Sequence, residues 1–188
     1  MAQIIKATPT ELNEVTNLAL ELWPKHTLLA LAREMSDYLS RGDRAVFLYA
    51  PDLEDTVPET DNSPQTTMDE DPAIRYSHRV TDRYCGLALF SLRYDYVEGS
   101  DSSPTGYLEG IYVREGHRRM GIAQALLAAG ERWAMKKGCT ALGSDCELSN
   151  DISLAFHLGV GFTEANRIVC LIKPLDPEQL SDKKTDAD

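Results

Sequence analysis

The sequence predicts a mixed α/β domain, a central sheet flanked by helices, and three observations carry that prediction. Strand-like and helix-like segments follow one another along the 188 residues with no internal repeat. Residues 106–113 form an apolar run with β-branched members that stops at a turn, and residues 121–137 then place Leu126, Leu127, Gly130, Trp133 and Ala134 on one face at helical spacing. Hydrophobic residues make up 43% of the chain, while no apolar run reaches the roughly 18 residues that would suggest a membrane span. A chain of this length suits one domain with a buried core. Residues 1–173 are expected to form it, followed by a polar tail at 174–188.

The elements can be justified in order. Residues 4–7 read as a first strand. Thr8-Pro9-Thr10-Glu11 is a helix start, with a hydroxyl cap, a proline and an acidic first turn. Leu12, Val15, Leu18, Ala19, Leu22 and Trp23 then recur at helical spacing until Pro24 breaks the helix. A second helix is expected over 28–39, and strands over 45–50 and 84–93 by β-propensity. Between those strands lies a segment rich in Pro, Asp, Glu, Thr and Ser at 51–82, read as an extended, mobile hairpin insertion. After it come a strand at 107–113, a helix at 121–137, a strand at 141–146, a helix at 151–158 and a strand at 164–172.

Charge and cysteines narrow the class. The formal net charge is −11, which argues against nucleic acid, since phosphate contacts need a basic face. It suits a cationic small molecule. Acidity also serves solubility, and Asp52, Glu54, Asp55, Glu59, Asp61, Asp69, Glu70 and Asp71 concentrate it in the insertion. Cys85, Cys139, Cys146 and Cys170 have no Cys-x-x-Cys spacing and sit in apolar or strand-like contexts, which favours reduced core thiols over disulfides or a zinc site. No metal cluster is evident among the His and Cys residues. The N-terminus lacks the features of a signal peptide, so a cytoplasmic protein with no membrane attachment is expected.

The most informative stretch is the loop after residue 113. A strand–loop–helix of this kind aims several backbone N–H groups at one point, where an anion can sit at the positive end of the helix. Gly121 and Ala123 leave little bulk before those amides, and Arg118 and Arg119 can add charge-assisted contacts to phosphate. The reading is a pyrophosphate cradle. Spacing alone leaves open an ordinary strand-to-helix turn with two solvated arginines.

Arg118-Arg119-Met120-Gly121-Ile122-Ala123 resembles the Gln/Arg-x-x-Gly-x-Gly/Ala signature of the GCN5-related N-acetyltransferases (GNAT), which binds the pyrophosphate of acetyl-coenzyme A. Residues 150–162, an Asn followed by a helix ending in Gly-Phe, resemble the family's second signature. The resemblance implies a mostly antiparallel central sheet in which the strands carrying residues 111–113 and 141–146 splay apart. That gap holds the pantetheine arm, which adds to the sheet by backbone hydrogen bonds. Ile111, Tyr112, Val113, Arg118, Arg119, Met120, Gly121, Ile122, Ala123 and Asn150 are then the residues expected at the coenzyme.

Residues 90–113 are similar to one group within that family, the aminoglycoside 6′-N-acetyltransferases. In that group an Arg-x-x-Tyr-Val-x-Gly segment precedes Ser-Pro-x-Gly-x-Leu-Glu-Gly-Ile-Tyr-Val, and Leu22-Trp23, Ser144-Asp145 and Asn150 match it too. The similarity covers 84–172 well and 1–50 loosely; the insertion lies outside it.

Acetyl transfer to an amine needs a proton acceptor for the nucleophile, donors at the thioester carbonyl and a proton for the departing thiolate. Glu109 sits mid-strand in an apolar run, where a carboxylate costs free energy unless it is paired or near water. It is the leading candidate for amine binding and general-base work, the alternative being an outward-facing surface residue. Asp145 matches the group's substrate-binding aspartate, though a loop or capping role is open. Trp23 is expected to wall the sugar site, or to be a core tryptophan. Tyr96 corresponds to a tyrosine that the group often presents across a dimer interface; Glu98 and Asp101 would line the same rim, or be solvated loop charges. His157 stands where many members have a tyrosine that protonates the coenzyme sulfur, and its near-neutral pKa suits that work. A packed structural histidine is the alternative. His117 is expected to be a loop or capping residue.

The resemblance therefore implies direct acetyl transfer from acetyl-coenzyme A to the 6′-amine of a cationic aminoglycoside by a homodimer, with antibiotic resistance as the consequence. The same chemistry on a polyamine or a protein N-terminus, or a non-catalytic acyl-coenzyme A-binding module, are the alternatives.

Overall fold

The computed structural model of the protein describes residues 2–52 and 83–175. The acidic insertion beyond its first two residues, and the tail past residue 175, lie outside the described residues. Five strands lie in sequence order across one sheet: β1 (Gln3–Lys6), β2 (Arg44–Ala50), β3 (Gly86–Arg93), β4 (Thr105–Val113) and β5 (Leu142–Ser144). Neighbours are antiparallel up to β4, and β5 runs parallel to β4. Helices α1 (Leu12–Leu22) and α2 (Leu28–Ser40) precede β2, α3 (Ile122–Lys136) follows β4, and α4 (Asp151–Gly159) follows β5. This is the expected mixed sheet with its ligand loop after the fourth strand.

Local chemistry sets the helix ends. The Thr8 hydroxyl accepts from the Thr10 N–H at 3.3 Å, and the Glu11 carboxylate accepts from the Thr8 N–H at 2.8 Å. This reciprocal cap satisfies donors that would otherwise be orphaned. A short 3-10 turn at Pro9–Glu11 leads into α1, which ends at Trp23 before Pro24. Thr27 opens α2 by accepting from the Ala30 N–H at 3.3 Å.

The sheet is buried on both faces, which is why β2 and β3 read as continuous apolar runs. On one face α3 lays Leu126, Leu127 and Trp133 over Phe47, Ala88, Phe90 and Leu108. On the other, α1 and α2 bring Val15, Leu18, Leu31 and Met35 onto Val46, Leu48, Leu87 and Leu89.

One irregularity positions the site. Leu89 pairs with Gly110 and Phe90 with Leu108, so Glu109 is an extra residue in β4. Such a bulge shifts the alternation beyond it. Leu108 and Ile111, three residues apart, consequently pack on the α3 side, and Gly110 faces α1. A Cβ on Gly110 would lie 2.9 Å from Leu22 Cδ2 and 3.0 Å from Trp23 Cζ2, so only glycine lets the end of α1 close onto the strand there.

Two expectations are corrected. Residues 164–172 form no strand: Ile168, Val169, Leu171 and Ile172 are exposed, Ile172 to 95%. Their β-propensity is real, but propensity needs a partner edge and a face to pack on. The chain instead stays at the 97–100 turn, where Asn166 Nδ2 donates to Glu98 Oε1 at 3.2 Å, and Arg167 pairs with Glu164 at 2.7 Å. The cysteines also divide. Cys85 and Cys139 are buried thiols, whereas Cys146 is half-buried and Cys170 exposed on the segment that does not join the sheet.

Candidate active site

The loop after β4 is built from backbone. The Arg118 N–H donates to Glu115 O at 3.1 Å and the Ala125 N–H to Gly121 O at 3.0 Å. Between them, the N–H groups of residues 119–124 donate to no carbonyl among the described residues. Arg119 (φ 66°) and Gly121 (φ 79°) both take the left-handed conformation, and these amides stand at the start of a 15-residue helix, the positive end of its dipole. A Cβ on Gly121 would meet only Gln124 Oε1, at 3.8 Å, so the space in front of the loop is open and a side chain there would fill it. Donor set and space fit a pyrophosphate.

The side chains of the loop divide the work. Arg118 Nε donates to Val113 O at 3.0 Å, bracing the loop against the end of β4. Arg119 and Met120 are exposed beside the amides. Ile122 is buried in the core and offers only its backbone; Ala123 is half-buried.

Next to the loop the sheet forks. β4 and β5 pair over three positions only, ending at Leu108 opposite Ser144. From Glu109 to Val113, which includes Ile111 and Tyr112, β4 continues without a strand partner on that side among the described residues. At the apex the Ser144 hydroxyl donates to Leu108 O at 3.0 Å and meets His157 Nε2 at 2.9 Å. His157 is buried, its Nδ1 is 2.7 Å from Ser153 O, and the rings of Phe156 and Phe162 flank it edge-on. Asn150 caps α4 through a 3.0 Å bond from the Ser153 N–H.

On the α1 and α2 face, the bulge delivers Glu109 into a side-chain network. The Ser91 hydroxyl donates to Glu109 Oε1 at 2.5 Å, and Arg93 Nη2 to Oε2 at 2.9 Å. The Arg93 guanidinium lies 3.2 Å from the centroid of the Tyr107 ring, and the Tyr107 hydroxyl donates to Asp145 Oδ1 at 2.5 Å. Burial first, and then the Asp145 bond, hold the Tyr107 hydroxyl well above the usual phenol range, so it stays a donor. Desolvation pulls the Arg93 guanidinium down, but the Glu109 bond and charge outweigh it and leave it above its ordinary value. Arg93 thus lies between Glu109, which it pairs with, and Tyr107, which carries Asp145.

The structure therefore brings Glu109, Asp145 and, across Gly110, Trp23 to one neighbourhood. It does not bring Tyr96 or Glu98 there within one chain. Tyr96 is 78% exposed and its hydroxyl donates to Glu98 Oε2 at 2.8 Å, with no bond from either to the network. Glu109 is not the outward-facing surface residue that the sequence left open. Ser91 and Tyr107 are participants that the sequence reading did not single out, and Arg93 and Ser144 entered it only as motif matches without a role. Polar residues two apart at the end of an apolar strand, Ser91 and Arg93, share a face, and that spacing was the available signal.

Among the described residues no group of three His, Cys, Asp or Glu side chains could hold a metal ion. No helix there is long and apolar enough to cross a membrane.

Comparison with known proteins agrees with this geometry. Residues 23–162 match the Acetyltransferase (GNAT) family. The aminoglycoside N(6′)-acetyltransferase type 1 of Acinetobacter haemolyticus is 45% identical over 86 residues, covering 46% of this chain and 59% of the relative. The chain thus spans less than two thirds of that relative's length. The protein of the same name from Stenotrophomonas maltophilia is 36% identical over 127 residues, 68% of this chain and 81% of the relative. The solved structure of AAC(6′)-Iy in complex with the bisubstrate analog CoA-S-monomethyl-acetylneamine superimposes with a TM-score of 0.75 at 30% identity, over 93% of this chain and 99% of that one. A mixed sheet with a backbone cradle after its fourth strand, matched over most of its length, has one consequence: the chain belongs to the GNAT family of acetyltransferases.

Proposed function

We propose that this protein transfers acetyl from acetyl-coenzyme A to the 6′-amine of an aminoglycoside, directly and without a covalent enzyme intermediate. Resistance to 6′-amino drugs is the cellular consequence. The observation that carries the proposal is Glu109, set by the β4 bulge beside both the fork and Trp23. The names of the relatives support the substrate.

The backbone of residues 119–124 would hold the pyrophosphate, with Arg119 and Met120 at its rim, and the free edge of Ile111 to Val113 would take the pantetheine arm as an added strand. When bound, the coenzyme supplies an activated thioester. This chain's residues do the rest. Trp23 presents an aromatic wall to the sugar, and Glu109 and Asp145 attract its ammonium groups. Glu109 accepts the proton that the amine must lose, directly or through water. His157 lies on the far side of the fork apex and is the proton source for the departing thiolate.

We also propose a homodimer. The exposed apolar strip from Ile168 to Leu175 leaves the body beside Glu98, and Tyr96 points outward at its root. A second copy covering that strip would bury it and carry Tyr96 toward the partner's amine site. Sedimentation as a monomer at assay concentration contradicts this part. The buried thiols Cys85 and Cys139 support a reducing, cytoplasmic setting.

Release of coenzyme A thiol tests the activity. Kanamycin and tobramycin should support release, and paromomycin, which carries a 6′-hydroxyl, should not. Release with spermidine alone would keep the chemistry and replace the substrate. Coenzyme binding without release in any case would point to a regulatory module.

A further inference from the structure

We infer that Ser144 is the residue through which His157 works, a proton relay at the apex of the β4–β5 fork. The inference rests on the acetyl-transfer reading above and adds a group to it. A count of hydrogens carries it. Ser153 O is a carbonyl, so His157 Nδ1, 2.7 Å away, must carry a proton. Leu108 O is also a carbonyl, so at 3.0 Å it takes the single proton of the Ser144 hydroxyl. The 2.9 Å contact between Ser144 Oγ and His157 Nε2 then forms only if Nε2 donates. All three bonds exist together in the imidazolium, with both ring nitrogens protonated. In the neutral ring the hydroxyl must give up either Leu108 O or Nε2. The network therefore has two states that differ by one proton and by the direction of the Ser144 hydroxyl.

Among the described residues the His157 ring nitrogens meet only Ser144 and Ser153. Its other neighbours are the Phe156 and Phe162 rings and, at 3.4 Å, the Ser153 hydroxyl. Of the charged and titratable groups on the flanking elements, Glu109 is engaged with Arg93 and Asp145 with Tyr107, and Cys146 and Asp151 make no hydrogen bond to the ring. With Nδ1 committed to α4 and Nε2 covered by Ser144, the ring reaches the fork only by way of the hydroxyl.

The step balances. The amine nitrogen forms its bond to the acetyl carbon as the carbon–sulfur bond breaks, and the amine's proton goes to Glu109. The Ser144 hydroxyl proton passes to the departing thiolate, and the proton on His157 Nε2 replaces it on Ser144. Solvent then returns the proton from Glu109 to the imidazole.

The test is the pH dependence of kcat for wild type, Ser144→Ala, Ser144→Thr and His157→Gln with tobramycin, together with NMR titration of the His157 ring. Ser144→Ala should lower kcat about 100-fold or more, within the range of general-acid effects, while acetyl-coenzyme A KM stays within about threefold. It should abolish the alkaline limb of the profile, and Ser144→Thr should restore it. Adding Ser144→Ala to His157→Gln should cost nothing further. A wild-type profile in Ser144→Ala, or full additivity in the double variant, overturns the relay. If the wild type acetylates no amine, the functional reading fails on its own. The pair is then judged by NMR: Ser144→Ala must shift the His157 titration, and an unchanged titration rejects the pair.

Discussion

The two sides of the fork are built from different material. The side proposed for the coenzyme is backbone: six consecutive amides, two left-handed residues and a helix end, all within residues 118–125. The side proposed for the amine is side chain: Ser91 and Arg93 from β3, Tyr107 and Glu109 from β4, Asp145 after β5 and Trp23 at the end of α1. A backbone site is encoded where it stands and tolerates most side-chain changes. A side-chain network depends on each member and on the register that brings them together. Substitutions should therefore separate coenzyme affinity from turnover.

The largest effect is expected at Glu109. Glu109→Gln keeps the shape and removes the base, so kcat should fall by about 100-fold to 10,000-fold, in the range for general-base catalysis. Coenzyme affinity, measured by calorimetry, should stay within about threefold. Near-normal turnover would remove Glu109 from the proton path. On the other side, Gly121→Val puts a β-branched residue at φ 79° and a side chain before the amides. Coenzyme affinity should drop by about 10-fold to 100-fold, the scale of losing one or two charge-assisted contacts. Unchanged affinity would sink the cradle.

Arg93→Met sharpens the contrast, because Arg93 touches both carboxylate arms and no part of the cradle. Turnover should fall about 10-fold, as Glu109 loses its orienting partner, with coenzyme affinity unchanged. The loss of stability should stay near or below about 1 kcal/mol, since the Arg93 side chain is 40% exposed and solvent screens the pair.

The smallest effect is one of stability. Burial pushes the Cys85 thiol up to about 11 from an ordinary 9.0. The unfolded chain then releases this proton before the folded one does, so the contribution is full below pH 9.0 and lost as pH rises toward about 11. Urea midpoints across that window should decline less steeply in Cys85→Ala. Equal slopes would mean that other groups set the alkaline limit.

The same contrast explains what could be read from the chain. The form of the loop was legible because Arg118 to Ala123 are contiguous and their residue types fix the backbone. Glu109 was legible as a carboxylate in an apolar strand, since burial makes such a residue expensive. Its partners were not. Ser91 lies 18 residues and Arg93 16 residues away in sequence, and only the antiparallel register with its bulge joins them to Glu109. Ser144 was visible as a residue type, while its bonds to Leu108 and His157 depend on where β5 ends. The expected strand at 164–172 failed for a related reason: Ile168, Val169, Leu171 and Ile172 have the right propensity, but within one chain no sheet edge receives them.

The most direct test of the central claim is the position of the acetyl group in the product. Tobramycin turned over with acetyl-coenzyme A should carry one acetamide, at the 6′ nitrogen, as read by NMR of the purified product. Acetylation at a ring-attached amine, or coenzyme A release with the drug recovered unmodified, would contradict it.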